Sequence, residues 1–485
     1  MTTPASSSRA PETPDAATTS SSLGHGLKTR HLTMMGLGSA IGAGLFLGTG
    51  VGIEAAGPAV LLAYIVAGVI VMLVMQTLGE MAAARPSSGS FSTYARQAFG
   101  HWAGFMTGWI YWFMLTMVLG AEMTGASAIM AGWFGVDPWI PALVCVVFFA
   151  VVNFAQVRGF GEFEYWFSLI KVAVIIGFLV VGVLLFFGWL PDAEPILFSN
   201  IAQVDFAPNG LPGVAAGLLA VAFAFGGIEL VTIAAAESEN PAASIRTAVR
   251  SVIVRISVFY LGSVLAIIML LPYDQISGAD TADESPFTRV LALANIPGVV
   301  GFMEAVIVLA LLSAFNAQIY ATSRLVHRLA MEGDAPRIFA KTNSERVPIN
   351  AVVLSMFFAF VSVGLQWWNP TGLLTFLLNA VGGCLLVVWV MIMLSYLKLH
   401  PVLEANGEIS TVRMWGFPWL GYLTLAALAG LVVLMLFDAG ARMQIISVAA
   451  VVAVLVILSL FTRNNPPLSS EAMSVQRRRP VTQKD

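Results

Sequence analysis

Charge is scarce in this 485-residue chain: Asp, Glu, Lys and Arg together make up 11% of it, against 58% hydrophobic residues. The mean hydropathy is +0.85. A soluble globule of this size could not cover so much apolar surface with so few polar side chains, so the chain belongs in a bilayer. Cysteine is nearly absent. Cys145 and Cys384 are the only two, and both sit inside apolar runs, which excludes a disulfide framework and a cysteine metal cluster. The five histidines, His25, His31, His101, His327 and His400, fall in the N-terminal tail or at segment ends. No nucleophile with an adjacent base and no metal-ligand set stands out, so the chain is not expected to be an enzyme and no metal or other cofactor is expected. A basic face is also missing: the net charge is −3 and the arginines are scattered among loops, which argues against nucleic acid as a partner. Residues 1–27 are rich in Ser, Thr, Pro and Ala without an apolar core. They read as a disordered cytoplasmic tail and not as a cleavable signal peptide.

What the chain has in abundance is long apolar runs. A spanning helix needs roughly 20 apolar residues, and runs of that length recur from 32 to 462 with short polar breaks. They predict an all-α integral membrane protein of about twelve helices, at 31–54, 57–84, 101–131, 138–157, 162–189, 211–236, 247–272, 296–332, 349–367, 370–398, 414–437 and 442–462. With the N-terminus inside, 21 of the 24 lysines and arginines, Arg255 among them, fall on cytoplasmic segments. Arg289 and Arg442 remain outside, and Lys171 lies within a predicted helix. Lys and Arg concentrate on the cytoplasmic side of short loops, so both termini are expected in the cytoplasm.

Two of these runs are interrupted by glycine. The first contains GSAIGAGLF at 38–46, and the sixth contains AFAFGGIE at 222–229, with Gly226 and Gly227 adjacent at mid-depth. Glycine weakens a helix, and broken backbone survives in lipid only where protein or a watery cavity satisfies the freed amides and carbonyls. A lone glycine more often serves close helix packing. Two interruptions five helices apart instead point to a transporter built from inverted repeats, with its substrate near the bilayer midplane. Amides opening the second half of the first segment suit a carboxylate, and carbonyls closing the first half of the sixth suit an ammonium. The expected substrate is therefore a zwitterionic amino acid.

Four charged residues fall inside apolar runs: Glu122, Lys171, Glu229 and Glu304. An ion at the bilayer centre costs at least about 2.5 kcal/mol on insertion scales, so such groups usually face a cavity and take part in ion or proton movement. Glu122 and Glu229 are too deep to reach the interface. Lys171 and Glu304 lie nearer helix ends, where a long side chain can snorkel. A buried lysine loses its proton readily, which makes Lys171 a plausible coupling group.

Together with GSAIGAGLF, the stretches AGPAVLLAY through LGEMAAARP, GSFSTYA, GEFEYWFSLIKV and FGGIELVTIAAAESENP, and the Asn316, Ser323, Arg324 region, carry a resemblance. From about Leu27 to Leu460 the chain resembles the amino acid permeases of the amino acid, polyamine and organocation transporter superfamily. That resemblance implies a five-plus-five inverted repeat of the LeuT type, at 31–189 and 211–398, plus two further helices at 414–462. The transmembrane domain would run over 28–462, with 463–485 a C-terminal cytoplasmic tail. Proton-coupled uptake through a bacterial cytoplasmic membrane is implied, with the proton gradient in place of any cofactor. Carboxylate-binding amides fall on Ala43 and Gly44 with Ala40 alongside, and amine-binding carbonyls on Phe223, Ala224 and Gly226. Lys171 matches a lysine that stands where sodium sits in sodium-driven cousins, Glu229 matches an acid linked to gating and protonation, and Phe223 falls at an aromatic gate. Many relatives have serine or threonine in place of Ala43, so one hydroxyl contact is missing here. Met117, Glu122, Phe223 and Phe315 are candidates for the side-chain pocket. The chain looks most like actinobacterial permeases for aromatic amino acids, while permeases for 4-aminobutyrate share VTIAAAES. Symport and exchange both remain open, as does the oligomeric state. A channel is disfavoured because no filter motif appears, and a sensor that binds without transporting would have similar residues.

Overall fold

Long runs of Ala, Val, Leu and Ile form helix here because, in lipid, only a helix satisfies every backbone group within one segment. Residues 41–87, 90–154, 160–191, 194–202, 205–227, 229, 241–276, 285–343, 347–368, 370, 372–409, 412–463 and 465–468 are described by a computed structural model, with the backbone alone given at 90, 160–164, 202, 241–242 and 248. Both predicted tails beyond these limits, and Ala40, lie outside the described residues. Among the described residues every regular element is helical.

The first segment is α1 (Ala43–Phe46) followed by α2 (Gly48–Ala56). A turn at Gly57, whose φ of +63° a side chain would resist, leads into α3 (Val60–Ala84). A short amphipathic helix, α4 (Ser90–Phe99), precedes α5 (His101–Phe134), α6 (Trp139–Phe154) and α7 (Phe160–Phe186). After the four-residue α8 (Ser199–Ala202) comes α9 (Gly210–Ala224). The seventh segment is α10 (Pro241–Val254), a π-helical stretch over Arg255–Leu261 and α11 (Gly262–Leu270). Then follow the short α12 (Pro286–Ala292), α13 (Val299–Met331), α14 (Ile349–Trp368), α15 (Leu373–Ala405), α16 (Trp419–Met435) and α17 (Ala439–Thr462). Among the described residues, eight helical stretches are long and apolar enough to cross a membrane, one being the 43–84 run. Three shorter apolar helices, α6, α9 and α16, accompany them.

At the centre, α9 packs along α1, α2 and α15, and α5 is flanked by α13 and α15. The approach of α9 to α15 is so close that a β-carbon at Gly382 would meet the Leu219 carbonyl. Outward faces are apolar: Trp419 and Phe461 are each 78% exposed, the surface expected where lipid is the solvent. α17 is covered over little of its length, with 11% of its apolar window buried.

Polar ties fasten the helix ends. Glu80 on α3 accepts from the Met414 amide at 2.6 Å and contacts His400 Nδ1 of α15 at 2.5 Å, with both side chains almost fully buried. Glu80→Ala leaves the imidazole and the amide without their acceptor inside the protein, which costs about 3 kcal/mol. The expected result is a lowered melting temperature of the detergent-solubilised protein, while the conservative Glu80→Gln loses less. Beyond α13, Arg96 of α4 pairs with Asp334 and with Glu332 at 3.2 Å. Burial pushes the Asp334 carboxyl up to about 7 against the pull of Arg96. A cleft of about 330 Å³ adjoins this cluster, lined by Ala330, Gly333, Asp334, Arg337, Thr462 and Asn465.

Candidate functional site

Where the first segment opens, Gly42 is non-helical, with φ −155° and ψ −146°, and α1 begins at the next residue. The N–H of Ala43, in the first turn of α1, has no acceptor within that helix. It donates instead to both carboxylate oxygens of Glu122 on α5, at 3.2 and 3.1 Å. Gly42 is needed for that approach, since a β-carbon there would meet Glu122 Oε1. A second irregularity follows at Leu47, between α1 and α2. The Phe46 carbonyl that it frees accepts from the hydroxyl of Ser285 at 2.9 Å. Ser285 lies at the start of α12, remote in sequence, and nothing in the apolar pattern of the first segment announces it.

The sixth segment stops as well. α9 ends at Ala224, after which Phe225 N–H donates to Ala222 at 3.1 Å and Gly226 N–H to Phe223 at 2.8 Å. These are tight three-residue turns. Gly227 then takes φ +84°, a conformation glycine adopts without strain. The two interruptions meet: a β-carbon at Gly44 would lie 2.8 Å from the Ala224 α-carbon and 3.1 Å from the Phe223 ring. One at Gly48 would lie 3.6 Å from the same ring. Phe223 thus lies along the second half of the first segment. Ala43 is 0% exposed and Ala224 1%, so the meeting point is closed to solvent.

Charged groups surround it. Lys171 on α7 is fully buried and its Nζ donates to Ser313 Oγ of α13 at 3.2 Å. Its ammonium is near enough to attract the Glu122 carboxylate. Lys171 therefore does not snorkel; its side chain runs inward. Glu304 does reach the periphery, where it accepts from Trp133 Nε1 at 2.8 Å. Glu229 is fully buried and accepts from Trp389 Nε1 of α15 at 2.8 Å. Arg255, in the π-helical stretch of the seventh segment, is 0% exposed, and its guanidinium attracts Glu229. The sequence count placed Arg255 among the cytoplasmic segments; the structure buries its side chain within the bundle. Its place five residues inside the apolar run that starts after Arg250 was the available signal.

Ala43, Gly44, Phe223 and Ala224 are thus brought together, with Glu122 on the Ala43 amide and Lys171 beside it. Gly226 sits at the turn after α9, where a β-carbon would approach Leu385 of α15 at 3.1 Å. The Phe223 carbonyl already accepts one bond. Met117 on α5 is half-buried and packs on the main core. Phe315 lies apart from the breaks, in a separate cluster with Leu119, Met123, Val146 and Ile319, its ring 5.5 Å from Phe149. Tyr64, Thr49 and Tyr260 were not singled out by the sequence. The Tyr64 and Thr49 hydroxyls lie 3.2 Å apart, and Phe225, just past the end of α9, packs on Tyr260 with ring centroids 5.2 Å apart.

Residues 31–466 match the family described as amino acid permease. The chain is 73% identical to the aromatic amino acid transport protein AroP of Corynebacterium glutamicum, over 92% of this chain and 96% of that protein. It is 40% identical to the gamma-aminobutyric acid permease of Bacillus subtilis, over 94% and 96% of the two chains. Against AroP of Escherichia coli K12 the identity is 34%, over 90% and 95%.

Proposed function

The chain belongs to the amino acid permease family, and from that premise we propose that it takes up aromatic amino acids together with a proton across the bacterial cytoplasmic membrane. The observation that carries the reading is the meeting of two interrupted helices, Gly44 against Ala224, in a chain 73% identical to an aromatic amino acid transporter. Counting the 43–84 run as two spans, the long and short apolar helices among the described residues are compatible with twelve spans, a reading in which both termini lie on the cytoplasmic side.

The substrate carboxylate is received by the amides of Ala43 and Gly44, with Ala40 alongside, and its ammonium by the carbonyls of Phe223, Ala224 and Gly226. Phe223 closes over it. The Ala43 amide is held by Glu122, so an incoming carboxylate has to displace another carboxylate. Two anions do not share one small apolar site at low cost. Glu122 therefore leaves that amide in its neutral, protonated form, and the proton travels with the substrate. Lys171 stabilises the anionic form of Glu122 in the empty state. Alternating access then moves the closed site to the opposite face. Catalysis of a covalent reaction has no part in this cycle, and no cofactor beyond the proton gradient is required.

Competition decides the substrate. Uptake of labelled phenylalanine by a transport-deficient host is expected to be suppressed at least about tenfold by excess tyrosine or tryptophan, the discrimination that a site shaped for a ring provides. Excess proline, alanine or 4-aminobutyrate is expected to have little effect. Failure of the aromatic competitors, with strong suppression by 4-aminobutyrate, would shift the reading to the activity named for the Bacillus relative. Accumulation driven by an imposed pH gradient in vesicles free of internal amino acid separates symport from obligatory exchange.

A further inference from the structure

α1 is a single turn, Ala43–Phe46, so the directions of the Ala43 and Gly44 N–H groups depend on how its two ends are held. Its start is held by Glu122 on the Ala43 amide. Its end is held from a distant part of the chain. In an unbroken helix the Phe46 carbonyl would accept from the N–H four residues on, but at the Leu47 irregularity Gly50 donates to Leu47 instead, at 3.0 Å. The carbonyl so freed is buried, with Phe46 0% exposed, and it accepts from the Ser285 hydroxyl at 2.9 Å. Ser285 occupies the N-cap position of α12, where a serine side chain ordinarily accepts from an amide of the first helical turn. Here it makes no such cap bond; its hydroxyl serves the first segment instead. The backbone of Ser285 is itself fixed, because its carbonyl accepts from the Thr288 hydroxyl at 2.7 Å and the Thr288 N–H at 3.0 Å. Packing secures the same junction. The Phe287 ring meets Phe46 edge-on, centroids 5.1 Å apart, and lies 4.6 Å from Phe178 of α7. On the other side, a β-carbon at Gly125 of α5 would meet Leu47.

Resting on the permease reading above, we infer that Ser285 is a positioning residue for substrate binding: by anchoring the Phe46 carbonyl it orients the turn whose amides receive the substrate carboxylate. The connection between the seventh and eighth segments also touches the far end of α2, and the contrast between the two ends supports this role. There Tyr273 Oη donates to the Glu54 carbonyl at 3.3 Å, and Asn209 Nδ2, from the connection before α9, donates to Ala55 at 3.0 Å. The last carbonyls of a helix have no acceptor role to fill within it, and Glu54 and Asn209 are exposed, so water replaces a donor lost at that end. Phe46 and Ser285 are each 0% exposed, so bulk water does not reach the carbonyl at the inner end. Removing the hydroxyl leaves a buried acceptor unsatisfied, which carries the full desolvation penalty of that group. The penalty falls on α1, the turn that presents Ala43 and Gly44.

The test measures uptake of labelled phenylalanine by the full-length protein, normalised to the amount in the membrane fraction. Ser285→Ala is expected to raise KM at least about fivefold while Vmax stays within about twofold of the wild type. A role confined to stability would lower the amount of protein and leave KM alone. Ser285→Cys keeps a weak donor of similar size and is expected to fall between the two. Tyr273→Phe, at the exposed end, is expected to keep KM within about twofold. A wild-type KM for Ser285→Ala would overturn the inference, as would an equal rise for Tyr273→Phe. If Ser285→Ala does not reach the membrane, Ser285→Cys decides: a raised KM supports the role and a wild-type KM overturns it. Amide hydrogen exchange of the detergent-solubilised protein gives a readout that needs no substrate. Ser285→Ala is expected to exchange at least about threefold faster across 43–50, with α15 unchanged; an unaltered rate across 43–50 would overturn the inference. If the wild-type protein moves no phenylalanine, the functional reading fails, while the exchange measurement still decides whether Ser285 holds the turn.

Discussion

Gly44→Leu is expected to abolish uptake while the protein still reaches the membrane. Even a β-carbon at that position would sit 2.8 Å from the α-carbon of Ala224, which is backbone and has no rotamer through which to yield. Overpacking of this kind costs about 1–3 kcal/mol where side chains can shift and more where they cannot. The remaining relief is to part the two interrupted helices, which destroys the site between them. Gly430 on α16 is exposed, and a β-carbon there would meet no heavy atom within 4 Å. Gly430→Leu is therefore the matched control, expected to transport like the wild type. Uptake is compared after normalising to the amount of protein in the membrane fraction. Undiminished uptake by Gly44→Leu would mean that substrate does not pass between these two breaks.

Glu122→Gln is expected to uncouple transport from the pH gradient. The Glu122 carboxylate takes the Ala43 amide with both oxygens, 3.2 and 3.1 Å away, and is attracted by Lys171. Glutamine fills the same volume but has no proton to gain as the substrate carboxylate arrives. Accumulation driven by an imposed pH gradient should fall at least about tenfold, while exchange of external for internal phenylalanine persists. Glu122→Asp retains the titrating group and is expected to keep part of the coupling. If Glu122→Gln accumulates phenylalanine as the wild type does, the coupled proton is carried elsewhere. That result would also remove the physical reason for a carboxylate at the Ala43 amide.

The sequence made the bilayer environment and the paired interruptions legible, because both are local. Hydropathy is a property of one run, and GSAIGAGLF and AFAFGGIE each contain their own anomaly. Glu122 and Glu229 were visible for the same reason, as carboxylates within apolar runs. The partners of these groups were not visible. Ser285 reaches the Phe46 carbonyl and Glu122 the Ala43 amide across 239 and 79 residues, and no periodicity encodes such a pairing. The burial of Arg255 was not visible either, because a count of charges by segment does not register which side chains the packed bundle covers. Phe315 was a reasonable pocket candidate from its position in the eighth segment. The rotation of α13 instead turns it towards Leu119, Val146 and Phe149, and rotation is set by which neighbours a helix meets.

By itself the sequence determined that this chain spans a membrane as a series of apolar helices, and where two of them cannot continue, because hydropathy and glycine's backbone freedom act within a few residues. Only the tertiary structure decided that the two interruptions face each other, that a carboxylate from α5 fills the amide opened by the first, and that a tryptophan of α15 donates to the acid beyond the second. Those are meetings between distant stretches of chain. They follow from close packing, which admits one partner at each place and leaves no trace of that choice in either stretch alone.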